Sequence, residues 1–155
     1  MTRFFTLGFG VVCYAVFFIT FLYMIGFVGN VIVPKTIDSG DAVGFGRALL
    51  INTALLLLFG LQHSVMARPR FKAWWTRFVP LAIERSTYVL ASSLVLVALF
   101  AWWQPIATPV WAVQNPIGSA ALTALYFAGF GLVLYSTFLI DHFDLFGLRQ
   151  VVLHF

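Results

Sequence analysis

The segment that decides the fold runs from Gln62 to Arg85 and reads QHSVMARPRFKAWWTRFVPLAIER. It holds five of the nine basic residues of the chain (Arg68, Arg70, Lys72, Arg77 and Arg85) against a single acid, Glu84, so its net charge of +4 equals that of all 155 residues. On both sides the sequence is apolar. The chain as a whole is 62% hydrophobic and only 9% charged, with a mean hydropathy of +0.99. Water-soluble domains carry roughly 25% charged residues, so a soluble fold is excluded and the 62–85 island reads as a loop between membrane spans.

Working outward from that loop, four apolar stretches are long enough to cross a bilayer, which takes about 20 helical residues. The expected spans are 4–28, 48–66, 87–103 and 116–140. Phe4–Val28 carries no formal charge and is too long for the apolar core of a signal peptide. Pro105 limits extension of the third span, and Pro116 suits the first turn of the fourth. The fold class is therefore all-α, an integral membrane bundle of four transmembrane helices (1–140) followed by the start of an interfacial helix. That last segment, 141–155 (DHFDLFGLRQVVLHF), mixes apolar and polar residues as interfacial helices do.

Basic loops face the cytoplasm. The 67–86 loop is basic, 29–47 is balanced (Lys35 and Arg47 against Asp38 and Asp41) and 104–115 is uncharged. Both termini are thus expected to be cytoplasmic, in agreement with Arg3 and Arg149. Trp74 and Trp75 then fall at one interface and Trp102, Trp103 and Trp111 at the other, as aromatic belts do. The confinement of the basic excess to one loop argues for the lipid bilayer as partner and against nucleic acid. Cys13 is the only cysteine, which excludes an intrachain disulfide and CxxC chemistry.

Polar residues at membrane depth mark candidate sites. Asn52 and His63 are eleven positions apart, within about 20° on one helix face but roughly 16 Å apart along the axis. They read either as a polar stripe along a substrate path or as interhelical hydrogen-bonding groups. Asp141, His142 and Asp144 cluster after the fourth span, as a general base, a metal ligand set or a solvated helix end. Metal sites need three or four convergent ligands, and with only His63, His142 and His154 to add to the acids no metal site is expected. His63 and His142 lie near one leaflet on different helices, so a haem-binding or electron-transfer module is a second reading. A non-catalytic membrane anchor is a third. Glu84-Arg85 reads as a cofactor anchor or as an ordinary ion pair. The pair Gly26 and Gly29, and the row Gly118, Ala121, Ala124 and Ala128, read as close helix packing.

Four stretches, GFVGNVIVPKTIDSG (26–40), QHSVMARPRFKAWWTRFVP (62–80), ERSTYVL (84–90) and STFLIDHFDLFGLRQV (136–151), together resemble the membrane-bound methanethiol S-methyltransferases. These group with NnrU-like and isoprenylcysteine carboxyl methyltransferase-like membrane proteins. The resemblance implies S-adenosyl-L-methionine-dependent methylation of a small thiol, methanethiol to dimethyl sulfide, by an enzyme of a bacterial-type inner membrane. It places the main cofactor elements in a C-terminal part with an Arg-His-Pro stretch and a paired glutamate. Neither occurs here, so the chain is expected to be the N-terminal part, cut short before the cofactor-binding part. A thiol is mostly protonated near neutral pH and needs a base or a positive field to react. On this reading His63 and His142 are the candidate catalytic bases. Arg85, Asp144 and Arg149 are the candidate cofactor-binding residues.

Overall fold

The computed structural model describes residues 3–41, 43–106, 108–109 and 111–154. Seven α-helices follow one another: α1 (Arg3–Gly29), α2 (Phe45–Met66), α3 (Pro69–Trp75), α4 (Glu84–Trp102), α5 (Pro116–Ile140), α6 (His142–Leu145) and α7 (Leu148–His154). No strand occurs among the described residues. Helices α1, α2, α4 and α5 are long and apolar enough to cross a membrane, and the chain is an all-α integral membrane protein.

α4 begins at Glu84, three residues before the expected start of the third span. The helix can take in both charged residues because each is matched. Glu84 is buried with Lys72 Nζ 3.8 Å from its carboxylate, and Arg85 pairs with Asp144. Glu84-Arg85 is therefore neither an ion pair with itself nor two free charges.

α4 is the central helix. It packs against α1 on one side and α2 on the other, while α1 and α2 touch each other only glancingly. The main core lies where α1 meets the end of α4, around Phe27, Leu99 and Phe100, with Val33, Ile37 and Phe59 packed on it. Phe27 and Phe100 ring centroids are 4.9 Å apart. Hydroxyls within the spans turn back onto their own helix: Thr20 donates to Val16 O at 2.7 Å and Ser93 to Val89 O at 2.9 Å. Hydrocarbon offers them no other partner.

The connection from α1 to α2 seals this end of the bundle. Ile32 has φ 66°, and Val33 N–H donates across it to Val31 O at 2.7 Å, a tight γ-turn. Ile37 N–H donates to Phe27 O, and Trp103 Nε1 donates to Ile37 O at 3.1 Å. Asn52 is buried and brackets the Gln104 peptide, donating to its carbonyl at 2.8 Å and accepting from its N–H at 2.9 Å. Of the two readings of Asn52, the structure supports the interhelical hydrogen bond.

α5 is capped by Asn115, whose Oδ1 accepts from Ile117 N–H (2.8 Å) and Gly118 N–H (3.2 Å), with Pro116 in the first turn. None of its residues is buried. Among the described residues nothing packs closely on Ala121, Ala124 and Ala128, which are exposed. Small residues permit close approach but do not compel it, because lipid tails are as apolar as a neighbouring helix. α5 touches the bundle through Tyr126, which donates to Ile25 O and lies against Gly29, and through Phe130, edge-on to Phe21.

After α5 the chain reverses at Asp141 (φ 148°), and Gly147 (φ 83°) sets α7 across α1. A Cβ on Gly147 would meet Ser86 N at 2.7 Å, so both conformation and space require glycine there. Val151 is wholly buried where α7 crosses Gly10, and a Cβ on Gly10 would stand 2.3 Å from Val151 Cγ2. Gly10→Ala should therefore lever α7 off α1, costing about 1–3 kcal/mol and exposing the 148–154 backbone to protease. Gly8→Ala, which meets nothing within 4 Å, should do neither. Equal protease resistance of the two variants in detergent would refute the packing.

Candidate active site

Because α1 and α2 both lean on α4 without closing on one another, a wedge remains between them. At the end of the bundle opposite the sealed loop, this wedge is a cavity of about 350 Å³, near the lower end of the roughly 300–1,000 Å³ typical of small-molecule pockets. α1 supplies an apolar wall (Phe17, Phe21, Met24), and Phe59 and Leu96 continue it on α2 and α4. The polar wall is His63 of α2 with Tyr88, Ser92 and Ser93 of α4, and Leu145 and Phe146 of α6 cover one side.

His63 is therefore not an isolated polar residue. The Tyr88 hydroxyl lies 2.9 Å from its Nδ1 and 3.0 Å from its Nε2, and Ser92 Oγ lies 3.4 Å from Nδ1. The phenol oxygen is nearly equidistant from both ring nitrogens, so a small ring rotation passes the contact from one to the other. Behind it, Gln62 donates to Ser92 Oγ at 3.3 Å, and its own Oε1 is buried with no partner among the described residues. Sequence reasoning selected His63 but missed Tyr88 and Ser92. Their signal was positional: Arg85, Tyr88 and Ser92 recur at three- and four-residue spacing on one face of a helix.

His142 is placed differently. It is 2% exposed, with Tyr14 OH 2.8 Å from Nε2 and Thr137 Oγ1 2.7 Å from Nδ1. Its ring stacks on Phe138 at 4.1 Å and meets Phe146 edge-on at 4.8 Å. Both ring nitrogens are committed, and the residue does not line the cavity. The two histidines expected to act together are thus not brought together. An imidazole held in this way offers no nitrogen to a haem iron without losing a hydrogen bond. Burial holds the His142 pKa below its ordinary 6.5.

The three residues expected at a cofactor form two ion pairs at this end. Arg85 Nη1 binds the Asp144 carboxylate and donates to the Asp144 carbonyl at 2.8 Å, while Arg149 pairs with Asp141. Arg85 N–H also faces Gln150 Oε1 at 3.3 Å. Asp141 accepts from Asp144 N–H at 3.1 Å; that bond first, and then the Arg149 guanidinium, hold its carboxyl below its ordinary 3.8. These side chains are partly exposed. A set of alternating carboxylates and guanidiniums suits a ligand bearing one ammonium and one carboxylate, as the amino-acid end of S-adenosylmethionine does. Among the described residues no group of three His, Cys, Asp or Glu side chains converges as a metal site, and the side chain of His154 lies outside the described part.

Fold and cavity together define a helical membrane protein with a small, largely apolar pocket that presents one imidazole. Over 155 residues, 100% of this chain and 61% of that protein, the sequence is 52% identical to a methanethiol S-methyltransferase from Crocosphaera subtropica. Over 153 residues, 99% of this chain and 63% of that protein, it is 52% identical to one of the same name from Mycobacterium tuberculosis. A more distant likeness, 35% identity over 113 residues, links 66% of the chain with 41% of Nurim from Homo sapiens. No family model matches, and no solved structure matches. The chain spans about three-fifths of the length of the curated relatives it matches first. The resemblance read from its motifs is borne out, and it is to the N-terminal part of proteins named methanethiol S-methyltransferase.

The cage around His142 makes the protein sensitive to acid. Above pH 6.5 the imidazole is neutral in both folded and unfolded chains, and nothing is lost. As the pH falls through 6.5 the unfolded chain takes up a proton that the folded one refuses, so stability declines until the lower folded pKa is reached. Asp141 adds a second decline as the pH drops below its ordinary 3.8. The unfolding midpoint in detergent should fall between about pH 7.5 and about pH 5, and His142→Gln should flatten that slope. A wild-type midpoint that stays level across the window would refute the buried neutral cage.

Proposed function

We propose that this chain forms the thiol-binding part of an S-adenosylmethionine-dependent methanethiol S-methyltransferase. The 52% identity over the full chain to proteins of that name carries the reading, and the His63 cavity localises it. Arg85, Asp144 and Arg149 are the residues that would meet the amino-acid end of the cofactor. When bound, S-adenosylmethionine supplies an electrophilic methyl on a sulfonium sulfur.

His63 would take the proton of the thiol sulfur, leaving a thiolate to accept the methyl that the bound cofactor would supply. The imidazole then carries two N–H donors, and the Tyr88 and Ser92 oxygens beside it accept from them. The apolar wall of Phe17, Phe21, Met24 and Phe59 keeps water from the nascent thiolate, which leaves it less solvated and more reactive. His142 acts by position: its cage fixes α6, and through α6 the Phe146 wall of the cavity. By the charge rule, the Arg-rich 67–83 loop and both termini face the cytoplasm of a bacterial-type inner membrane.

The test is headspace dimethyl sulfide from cells fed methanethiol. Cells would express this chain alone, or this chain joined to the remaining part of the Crocosphaera relative. The joined protein should produce the sulfide. In it His63→Gln should lower turnover by about 10²-fold or more, and Tyr88→Phe by roughly tenfold, the weight of one hydrogen bond to a charged group. No sulfide from the joined protein, present in the membrane, would overturn the activity. Sulfide at an unchanged rate from the His63 variant would overturn the base alone.

A further inference from the structure

The 67–83 connection has a chemistry that neither the cavity nor the ion pairs use. It spans the common end of α2 and α4, which pack together, so it lies where two membrane spans leave the bilayer. Three arginines in it, Arg68, Arg70 and Arg77, are exposed, and among the described residues no guanidinium of the three has a hydrogen-bond or ion-pair partner. Lys72, in the same stretch, differs, because its ammonium lies 3.8 Å from the buried Glu84 carboxylate. All three acids at this end are matched to a cation: Glu84 to Lys72, Asp144 to Arg85 and Asp141 to Arg149. No local carboxylate is left to neutralise the three arginines.

Beside them the loop exposes large apolar side chains. Trp74 is 49% exposed, Phe78 69% and Leu81 72%, and the Trp74 and Phe78 rings meet edge-on at 5.5 Å. Aromatic rings next to unpaired guanidiniums, at the mouth of two spans, match a boundary that is apolar on one side and anionic on the other. A soluble anion would use the charges and leave the rings in water. We propose that Arg68, Arg70 and Arg77 form a binding site for the phosphate headgroup of an anionic phospholipid, with Trp74 and Phe78 seated at the top of its acyl chains. The site is independent of the thiol reading, since it needs neither the cavity nor the cofactor residues.

The experiment uses this chain with Trp102, Trp103 and Trp111 replaced by Phe, which leaves Trp74 and Trp75 as reporters. It is reconstituted with brominated phosphatidylglycerol or brominated phosphatidylcholine, and the relative association of each lipid is read from quenching. A basic residue near an anionic surface contributes about a fivefold preference, so phosphatidylglycerol should be favoured by on the order of tenfold or more. Arg68→Gln/Arg70→Gln/Arg77→Gln should bring the ratio close to unity while the circular dichroism stays that of the parent. Equal quenching by the two lipids, or a preference kept in the triple variant, would overturn the site. Loss of the preference in inorganic phosphate but not in chloride of equal ionic strength would assign the arginines to a soluble phosphate ligand instead.

Discussion

The bond between Arg85 on α4 and Asp144 on α6 is the contact on which the polar end of the molecule depends. One guanidinium holds both the carboxylate and the carbonyl of Asp144, and three further contacts are local consequences of it. Gly147 is brought against Ser86, Val151 against Gly10 and Phe146 against Phe17, whose rings stack at 3.8 Å. A hydrogen bond to a charged group contributes about 1.5–3 kcal/mol, toward the lower end here because both side chains are partly exposed. These apolar contacts and the bond act together, so a pair of modest strength fixes the register of the roof that the packing holds down. His142 reinforces it from the other side, joining α6 to α1 through Tyr14 across 128 positions of sequence.

The parts of the fold legible in the sequence were those set by the bilayer. Length and freedom from charge are enough to mark a span, and the four long helices are where the apolar runs are. What was not legible depends on partners distant in the chain. Glu84-Arg85 read as an anchor or a pair, and the partners that match them, Lys72 and Asp144, lie 12 and 59 positions away. The small residues of α5 looked like a seam, but composition does not distinguish a face turned to another helix from one turned to lipid. Cys13 shows the converse. Nothing in its apolar run marks which side of α1 it takes, and it is wholly buried.

The same division runs through the candidate site. His63 stood out because an imidazole at membrane depth is rare and costly. Tyr88 and Ser92 did not, because a tyrosine and a serine near a span end are ordinary until the imidazole is seen beside them. Asn52 and His63 looked equivalent, two polar residues on one face of α2, and the structure separates them. The Asn52 amide is engaged at both its oxygen and its nitrogen by the Gln104 backbone. His63 has the hydroxyls of Tyr88 and Ser92 beside its ring nitrogens, and a hydroxyl can either donate or accept. His142 meets hydroxyls too, but it is enclosed by Phe138, Phe143 and Phe146. A charge there would be desolvated, so the hydroxyls of Tyr14 and Thr137 hold a neutral ring at His142.

The wedge between α1 and α2 explains why a cavity exists in so small a bundle. Had the two helices closed on one another, Met24 and Phe59 would have filled the space beside α4 and left His63 as a buried polar residue to be satisfied. Instead the sealed loop at Asn52 and Trp103 closes the far end, and α6 roofs the near end. The walls are then divided by chemistry: α1 brings Phe17, Phe21 and Met24, with its Thr20 hydroxyl turned back onto Val16 O, while His63, Tyr88, Ser92 and Ser93 come from α2 and α4. The guanidinium and carboxylate pairs Arg85–Asp144 and Arg149–Asp141 stand at the polar end, outside the cavity.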